Sequence, residues 1–249
     1  MGMSQSLVYL KTWTIENFHA FIHGYVAKSI RLNHVFYIVS VICIYYLTLY
    51  TKGSLISSLA TFVSISLLGY IAHAICHVIN IEWVFKKLDT HLNHILTSNK
   101  LVNKYIIDPS IEFYNFHETT HHDTSVNKQW YNIAYEFVGN FWFQAGTTLV
   151  VKYALSLMDY SVIVLWGLMY ATVHNINYNL YPSHIHAKHH LNKFTNYGID
   201  IWDIMFNTKY EGDFSDIEDI NHYSINVILC TIVICLVISY FNRSYHTTS

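Results

Sequence analysis

The sequence predicts an all-α integral membrane protein: a bundle of about four transmembrane helices carrying a cytosolic, histidine-rich helical cap. Three observations lead there. Charge is scarce, with 12% of the 249 residues charged, 53% hydrophobic and a mean hydropathy of +0.26, too apolar for an ordinary soluble domain of this length. That charge is also clustered, leaving long uncharged gaps from Arg31 to Lys52, Lys52 to Glu82, Glu136 to Lys152, Asp159 to Lys188 and Asp219 to Arg243. Finally, 17 histidines outnumber the 14 Lys plus Arg and gather as HAICH at 73–77, HETTHH at 117–122 and HAKHH at 186–190.

The elements follow in order. Residues 1–33 are polar and aromatic, with no apolar core of a cleaved signal peptide, and form a cytosolic N-terminal segment. A helix needs roughly 20 apolar residues to cross about 30 Å of hydrocarbon, which places spans at 34–51, 54–72, 132–151, 155–174 and 224–241. The run 132–151 is the weakest, because Glu136, Asn140 and Gln144 interrupt it; a shallow hairpin with the next run is the alternative. Two hairpins turning near 52 and 152–160 give four crossings, and the extra C-terminal helix 224–241 either crosses once more or lies against the membrane. Lysines and arginines before 34, in 80–131 and in 184–222 put those three segments on the cytosolic side. Between the spans, Asp108 as N-cap with Pro109 at the first helical position predicts a helix over 109–122. Pro182 ends the helix holding His174, and Ser183 caps a new one that carries His186, His189 and His190 and closes at Gly198. No repeat or linker divides the chain, so 1–249 is one domain.

Composition also excludes. A net charge of -2 offers no basic field for nucleic acid. Cys43, Cys76, Cys230 and Cys235 sit in apolar runs without CxxC spacing, and read as reduced, buried small hydrophobes.

The histidines carry the chemistry. His73 and His77, four apart, share one face of a helix about 6 Å apart along the axis and can grip one metal. His117, His121 and His122 lie on the second helix, His186, His189 and His190 on the third, and His174 beside them. Each cluster alone also reads as an amphipathic polar face. Their convergence on one side of the membrane offers nine imidazoles, more than a four-coordinate zinc site uses, so two metals are the natural count. Imidazole does not choose among zinc, copper, nickel and iron. Location does: a metal pair at the hydrocarbon boundary, with no Ser, Cys or Lys nucleophile motif, fits attack on an unactivated lipid C–H bond. Such attack needs redox-active iron and dioxygen; zinc would be a substitute occupant without that chemistry.

The order HAICH, HETTHH, His174, HAKHH and then NYGIDIWDIMFNT resembles the fatty acid hydroxylase and sterol desaturase superfamily. Asn196, Tyr197, Gly198, Trp202, Asp203, Phe206 and Thr208 match its tail, with Asn207 where the family usually has Gly. The resemblance spans about 60–210 and implies a pair of iron ions held by His73, His77, His117, His121, His122, His174, His186, His189 and His190, beneath a four-helix bundle. It implies hydroxylation or desaturation of a sterol or fatty acyl chain with O2 and two external electrons, in the endoplasmic reticulum membrane. The electron donor would be a membrane-bound b-type cytochrome with a nicotinamide-dependent reductase. His184 is the best spare ligand. Asp203 is the foremost partner for a ligand's second ring nitrogen, with Asn196 and Tyr197 beside it and Glu118, Asp123 and Asp200 as further candidates. The chain departs from the family in its long 78–116 insertion, whose His91 and His94 are extra ligands or an exposed polar face, and in Tyr178, where fatty acid hydroxylases have a second His. In that feature it resembles the sterol desaturase branch. His19 and His23 read as an interfacial polar face. An acyl desaturase and a non-catalytic, metal-binding membrane protein of the same shape remain the alternatives.

Overall fold

The computed structural model describes residues 22–92, 94, 98–123, 128–146, 148–149, 152, 158–181, 183–210 and 220–247; His19 and Pro182 lie outside them. The described residues are all-helical. A short helix α1 (Ile22–Val26 and Ala27–Leu32) precedes α2 (His34–Thr51) and α3 (Leu55–Val78). The turn between α2 and α3 takes Lys52 into the left-handed region (φ 54°), and Ser54 caps α3 by accepting from Ser57 N. Then come α4 (Ile81–His91), α5 (Lys100–Val102, Asn103–Ile107, Asp108–Phe116 and His117–His121 in succession) and α6 (Trp130–Phe141 and Trp142–Gly146). Next are α7 (Tyr160–Thr172, Val173–Asn177 and Tyr178–Leu180), α8 (His184–Leu191), α9 (Asp200–Met205) and α10 (Ile220–Thr247).

The helix around HETTHH starts earlier than Asp108 and Pro109 predict. Asn99 is its cap, accepting from Leu101 N and Val102 N at 3.0 and 3.3 Å, and Asp108 lies inside. A π-turn over Asn103–Ile107, in which Asp108 N reaches Asn103 O, stands immediately before Pro109. Such a widened turn is where a helix absorbs the missing N–H and the ring of a proline. Ser183, by contrast, caps α8 as predicted, accepting from His186 N at 3.2 Å, although α8 ends at Leu191 and an irregular segment, not helix, leads to Gly198.

Three helices are long and apolar enough to cross a membrane: α2, α3 and the Tyr223–Arg243 part of α10. The expected runs 132–151 and 155–174 are described only in part, and their described helices are not among the three. Helix α6 turns Glu136 and Gln144 into the interior, and the uninterrupted α-helix of α7 is only Tyr160–Thr172 before His174 and Asn175 follow. Helix α7 is nonetheless the centre of the bundle: Val162, Ile163, Leu165, Trp166 and Met169 are buried against Ile44 and Leu47 of α2, Ile65 of α3 and Val227 of α10. Outward faces are apolar, as at Val41 and Leu49 on α2, Val63 on α3 and Val233 and Leu236 on α10, while Ser40, Thr48, Ser58, Thr61 and Ser66 are buried. Small polar residues inside and aliphatic residues outside is the arrangement expected where lipid is the solvent.

Two polar ties set the register of α3 against α7. At one end Asp159 accepts from Ser58 Oγ at 2.5 Å and donates its own N–H to Thr61 Oγ1 at 2.9 Å. Midway, Gln144 of α6 accepts from Trp166 Nε1 at 2.9 Å and donates to Gly69 O at 3.2 Å. Helices α3 and α7 therefore run the same way, and His73, His77 and His174 emerge at the same end.

A Cβ at Gly69 would overlap Gln144 Oε1 and lie 2.9 Å from Trp166 Nε1, whereas one at Gly24 meets nothing within 4 Å. Gly69→Val is expected to cost about 1–3 kcal/mol by overpacking, read as a lower thermal midpoint in detergent. Gly24→Ala should leave it unchanged or slightly raised, and equal midpoints for the two variants would contradict this packing.

Candidate metal centre

Four helices deliver the histidines. Helix α3 contributes His73 and His77 from its last turns, the final π-turn of α5 contributes His117 and His121, the π-turn of α7 contributes His174, and α8 contributes His186, His189 and His190. Their ring nitrogens form two groups, in each of which the candidate ligand atoms lie within 4.8 Å of one another: His73, His77, His117 and His189, and His121, His174 and His186. His190 joins the second group, its Nε2 lying 2.9 Å from His186 Nε2 and 3.0 Å from His121 Nε2. His122 sits between the groups, its ring 4.9 Å from His77, 5.0 Å from His189 and 4.5 Å from His190. All nine predicted ligands are thus in one cluster.

The π-turn explains how adjacent turns of α5 serve different groups. His117 and His121 stack at 5.0 Å with planes 17° apart, so their nitrogens are offset along the helix. His117 Nε2 approaches His77 Nε2 at 3.1 Å, and His121 turns toward His190. Widened turns of this kind recur at functional sites because they shift side chains off the regular helical register.

The second ring nitrogens are held from outside. His73 Nδ1 donates to Tyr197 O at 2.5 Å, with the Tyr170 hydroxyl 3.1 Å away, and His189 Nδ1 donates to Thr195 O at 2.7 Å. His121 Nδ1 faces Glu136 Oε2 at 3.3 Å; the same oxygen accepts from Asn175 Nδ2 at 2.8 Å, and Asn175 Oδ1 accepts from Asn140 Nδ2 at 2.8 Å. A carbonyl or carboxylate partner requires the proton on Nδ1, which leaves the Nε2 lone pair available. Nε2 of His73, His189 and His174 is buried with no hydrogen-bond partner, an arrangement that costs about 1–3 kcal/mol per group unless something accepts the lone pair. Burial first, and the neighbouring imidazoles second, push His117, His121, His186 and His189 well below the ordinary histidine range. Neutral rings with converging lone pairs are what a metal ion requires, so the donor set fits a metal.

The other predicted residues divide. Asp203 touches no imidazole; it accepts from Tyr197 N at 2.8 Å, Gly198 N at 3.1 Å and Thr208 Oγ1 at 2.7 Å. It thereby fixes the loop whose Tyr197 carbonyl holds His73. Burial pushes its carboxyl up to about 7, against those hydrogen bonds and the charge of Lys209. Asn196, in the left-handed region at φ 54°, clamps the same loop by donating to Ile185 O and accepting from Tyr210 N. The Tyr197 ring lies 5.6, 5.8 and 6.0 Å from those of His73, His77 and His189. Asn207 has φ 56°, a conformation that Asn tolerates best after Gly. Tyr178 is buried and stacks on His186 at 4.3 Å.

Among the described residues the other candidates stand apart from the two groups. His184 is exposed and lies outside both groups. His91 and His94 are exposed too, the latter paired with Asp89. His23 is exposed. Asp200 is structural, ion-paired with Lys209 and accepting from Ser29 Oγ, which ties α1 to the tail. Asp123 is exposed, and the Glu118 side chain lies outside the described residues. Glu136, Asn175, Asn140, Tyr170 and Thr195 are the contributors that the motifs do not reveal. For Glu136 a signal exists, since a carboxylate inside an apolar run is costly and marks function by default. Comparison with protein-family models, curated proteins and solved structures finds no match to this chain.

Asp203→Ala, which frees the loop that carries Tyr197 O, is expected to weaken metal binding by no more than the roughly 10–100-fold that follows loss of a ligand's direct hydrogen-bond partner, measured by equilibrium dialysis. A His91→Ala, His94→Ala double variant should bind as tightly as the parent, and a loss there would return the 78–116 insertion to the ligand set.

Proposed function

We propose that the chain is a membrane-bound di-iron oxygenase that hydroxylates or desaturates a C–H bond of a lipid, a sterol or a fatty acyl chain. One observation carries the reading: two adjacent groups of imidazoles whose ligand atoms lie within 4.8 Å of one another, with His73, His189 and His121 fixed from behind. Imidazole donors do not choose between iron and zinc; the choice of iron rests on the lipid setting, where attack on a C–H bond needs redox chemistry. His73, His77, His117 and His189 would hold one ion, and His121, His174, His186 and His190 the other, with His122 between. When bound, a pair of iron ions supplies the redox chemistry that activates dioxygen.

The chain's own residues do the rest. Tyr197 O, Thr195 O and Glu136 keep His73, His189 and His121 in the tautomer that presents Nε2. The apolar outer faces of α2, α3 and α10 support a cluster at the edge of the hydrocarbon, where it would meet a lipid carbon. Helices α6 and α7 complete the four crossings with α2 and α3, and α10 crosses beside them. Lys86, Lys87, Lys100, Lys104 and Lys193 are exposed, which supports a cytosolic histidine end and suits docking of an acidic electron carrier, a b-type cytochrome fed by a nicotinamide-dependent reductase. For hydroxylation, one oxygen atom enters the C–H bond and the other leaves as water, with two electrons and two protons supplied. For desaturation, the substrate loses two hydrogens and both oxygens leave as water, again with two electrons and two protons supplied. The endoplasmic reticulum membrane is the compartment that provides such lipids and carriers.

A second reading, a non-catalytic metal-binding protein, takes its support from Tyr178, which covers His186. Elemental analysis separates the two. Protein purified in detergent from iron-replete cells should contain iron that a His121→Ala, His189→Ala variant lacks, and with a reductant it should transfer labelled oxygen from dioxygen to a lipid. Zinc in the parent, with no oxygen transfer after iron loading, would leave the non-catalytic reading standing.

A further inference from the structure

The two groups differ in what surrounds them. His73, His77 and His189 are 6%, 7% and 0% exposed and Tyr197 lies across all three, while the half-buried His117 borders a cavity of only about 20 Å³ beside Glu136. The second group instead borders a cavity of about 200 Å³ whose walls are its four imidazoles with Lys128, Tyr178 and Asn179. Among the described residues, no histidine of the first group and no carboxylate lines that cavity. A space of this size takes a small molecule or several waters, and Lys128 is the one formal charge on its wall.

From this asymmetry we infer that the exchangeable coordination position belongs to the second group, and that it admits a small anion, stabilised by Lys128, while the first group is closed to outside ligands. The inference rests on the metal-binding reading proposed above. Positive charge from a bound ion and from Lys128 would face the same space with no opposing carboxylate. An anion there would exchange against water without displacing protein. In the first group the same anion would have to displace Tyr197 or a ligand ring.

The test uses the full-length protein in detergent, loaded with cobalt(II), whose visible spectrum reports coordination, and titrated with azide. The expected result is a saturable spectral change that is lost in His186→Ala and requires about fivefold more azide in Lys128→Gln, the size expected of one partly solvated charge. Lys128 is exposed, so Lys128→Gln keeps the test decisive should a histidine variant fail to fold. Cobalt uptake without an azide response overturns this inference and leaves metal binding intact. So does a response kept in His186→Ala, or an azide affinity unchanged in Lys128→Gln. Failure to take up cobalt at all overturns the metal reading and this inference together.

Discussion

Burying many imidazole nitrogens in one place, with their lone pairs turned toward each other, is the constraint on which the rest of the structure depends. Each ring must be neutral, each Nδ1 must find an acceptor, and the Nε2 atoms must face a common point. His73, His174 and His189 show the cost openly, with a buried Nε2 that nothing in the protein satisfies. Nothing local holds such rings together; without a shared acceptor, buried polar nitrogens 3 Å apart oppose folding. Long-range ties hold them instead: Asp159 to Ser58, Gln144 between Gly69 and Trp166, and the tail that grips α3 through Trp202 Nε1 to Ser66 Oγ and Tyr70 to Thr208.

The tail shows how a segment without ligands can govern them. Its turns require left-handed backbone at Asn196 and Asn207, and its buried Asp203 gathers the loop amides around one carboxylate. The outcome is a single carbonyl, Tyr197 O, placed 2.5 Å from His73 Nδ1. A ligand on α3 is therefore oriented by a loop 124 residues further along the chain. Asp200, one helical turn before Asp203, anchors the same segment to α1 through Ser29 and Asn33. The two acidic residues of one short helix thus hold opposite sides of the tail.

Much of this was legible in the sequence, and the limit has a physical form. Charge gaps located α2, α3 and the membrane-length part of α10, because a charged side chain in hydrocarbon is too costly to be scattered at random. Spacings of three and four residues put the histidines on shared faces, and all nine do meet. The helix start near Asp108 was misplaced because capping rules describe regular helices, and a π-turn lets Pro109 sit inside one. The partners of the second ring nitrogens were mostly hidden. Two are backbone carbonyls, which every residue carries and no residue type advertises, and the third, Glu136, reads in one dimension as the flaw in an apolar run. Its meaning depends on His121 and Asn175, which only the folded chain brings to it.

The division of ligands among helices joins the two groups mechanically. Helix α3 serves only the first group and α7 only the second, but α5 and α8 serve both: His117 and His189 face one group, His121, His186 and His190 the other. Neither α5 nor α8 can shift by a fraction of an ångström without moving ligands in each. Rigid packing transmits such shifts and does not absorb them. The stacked pair His117 and His121 is the shortest link between the groups, and the π-turn that sets their offset is therefore what fixes the separation of the two sites.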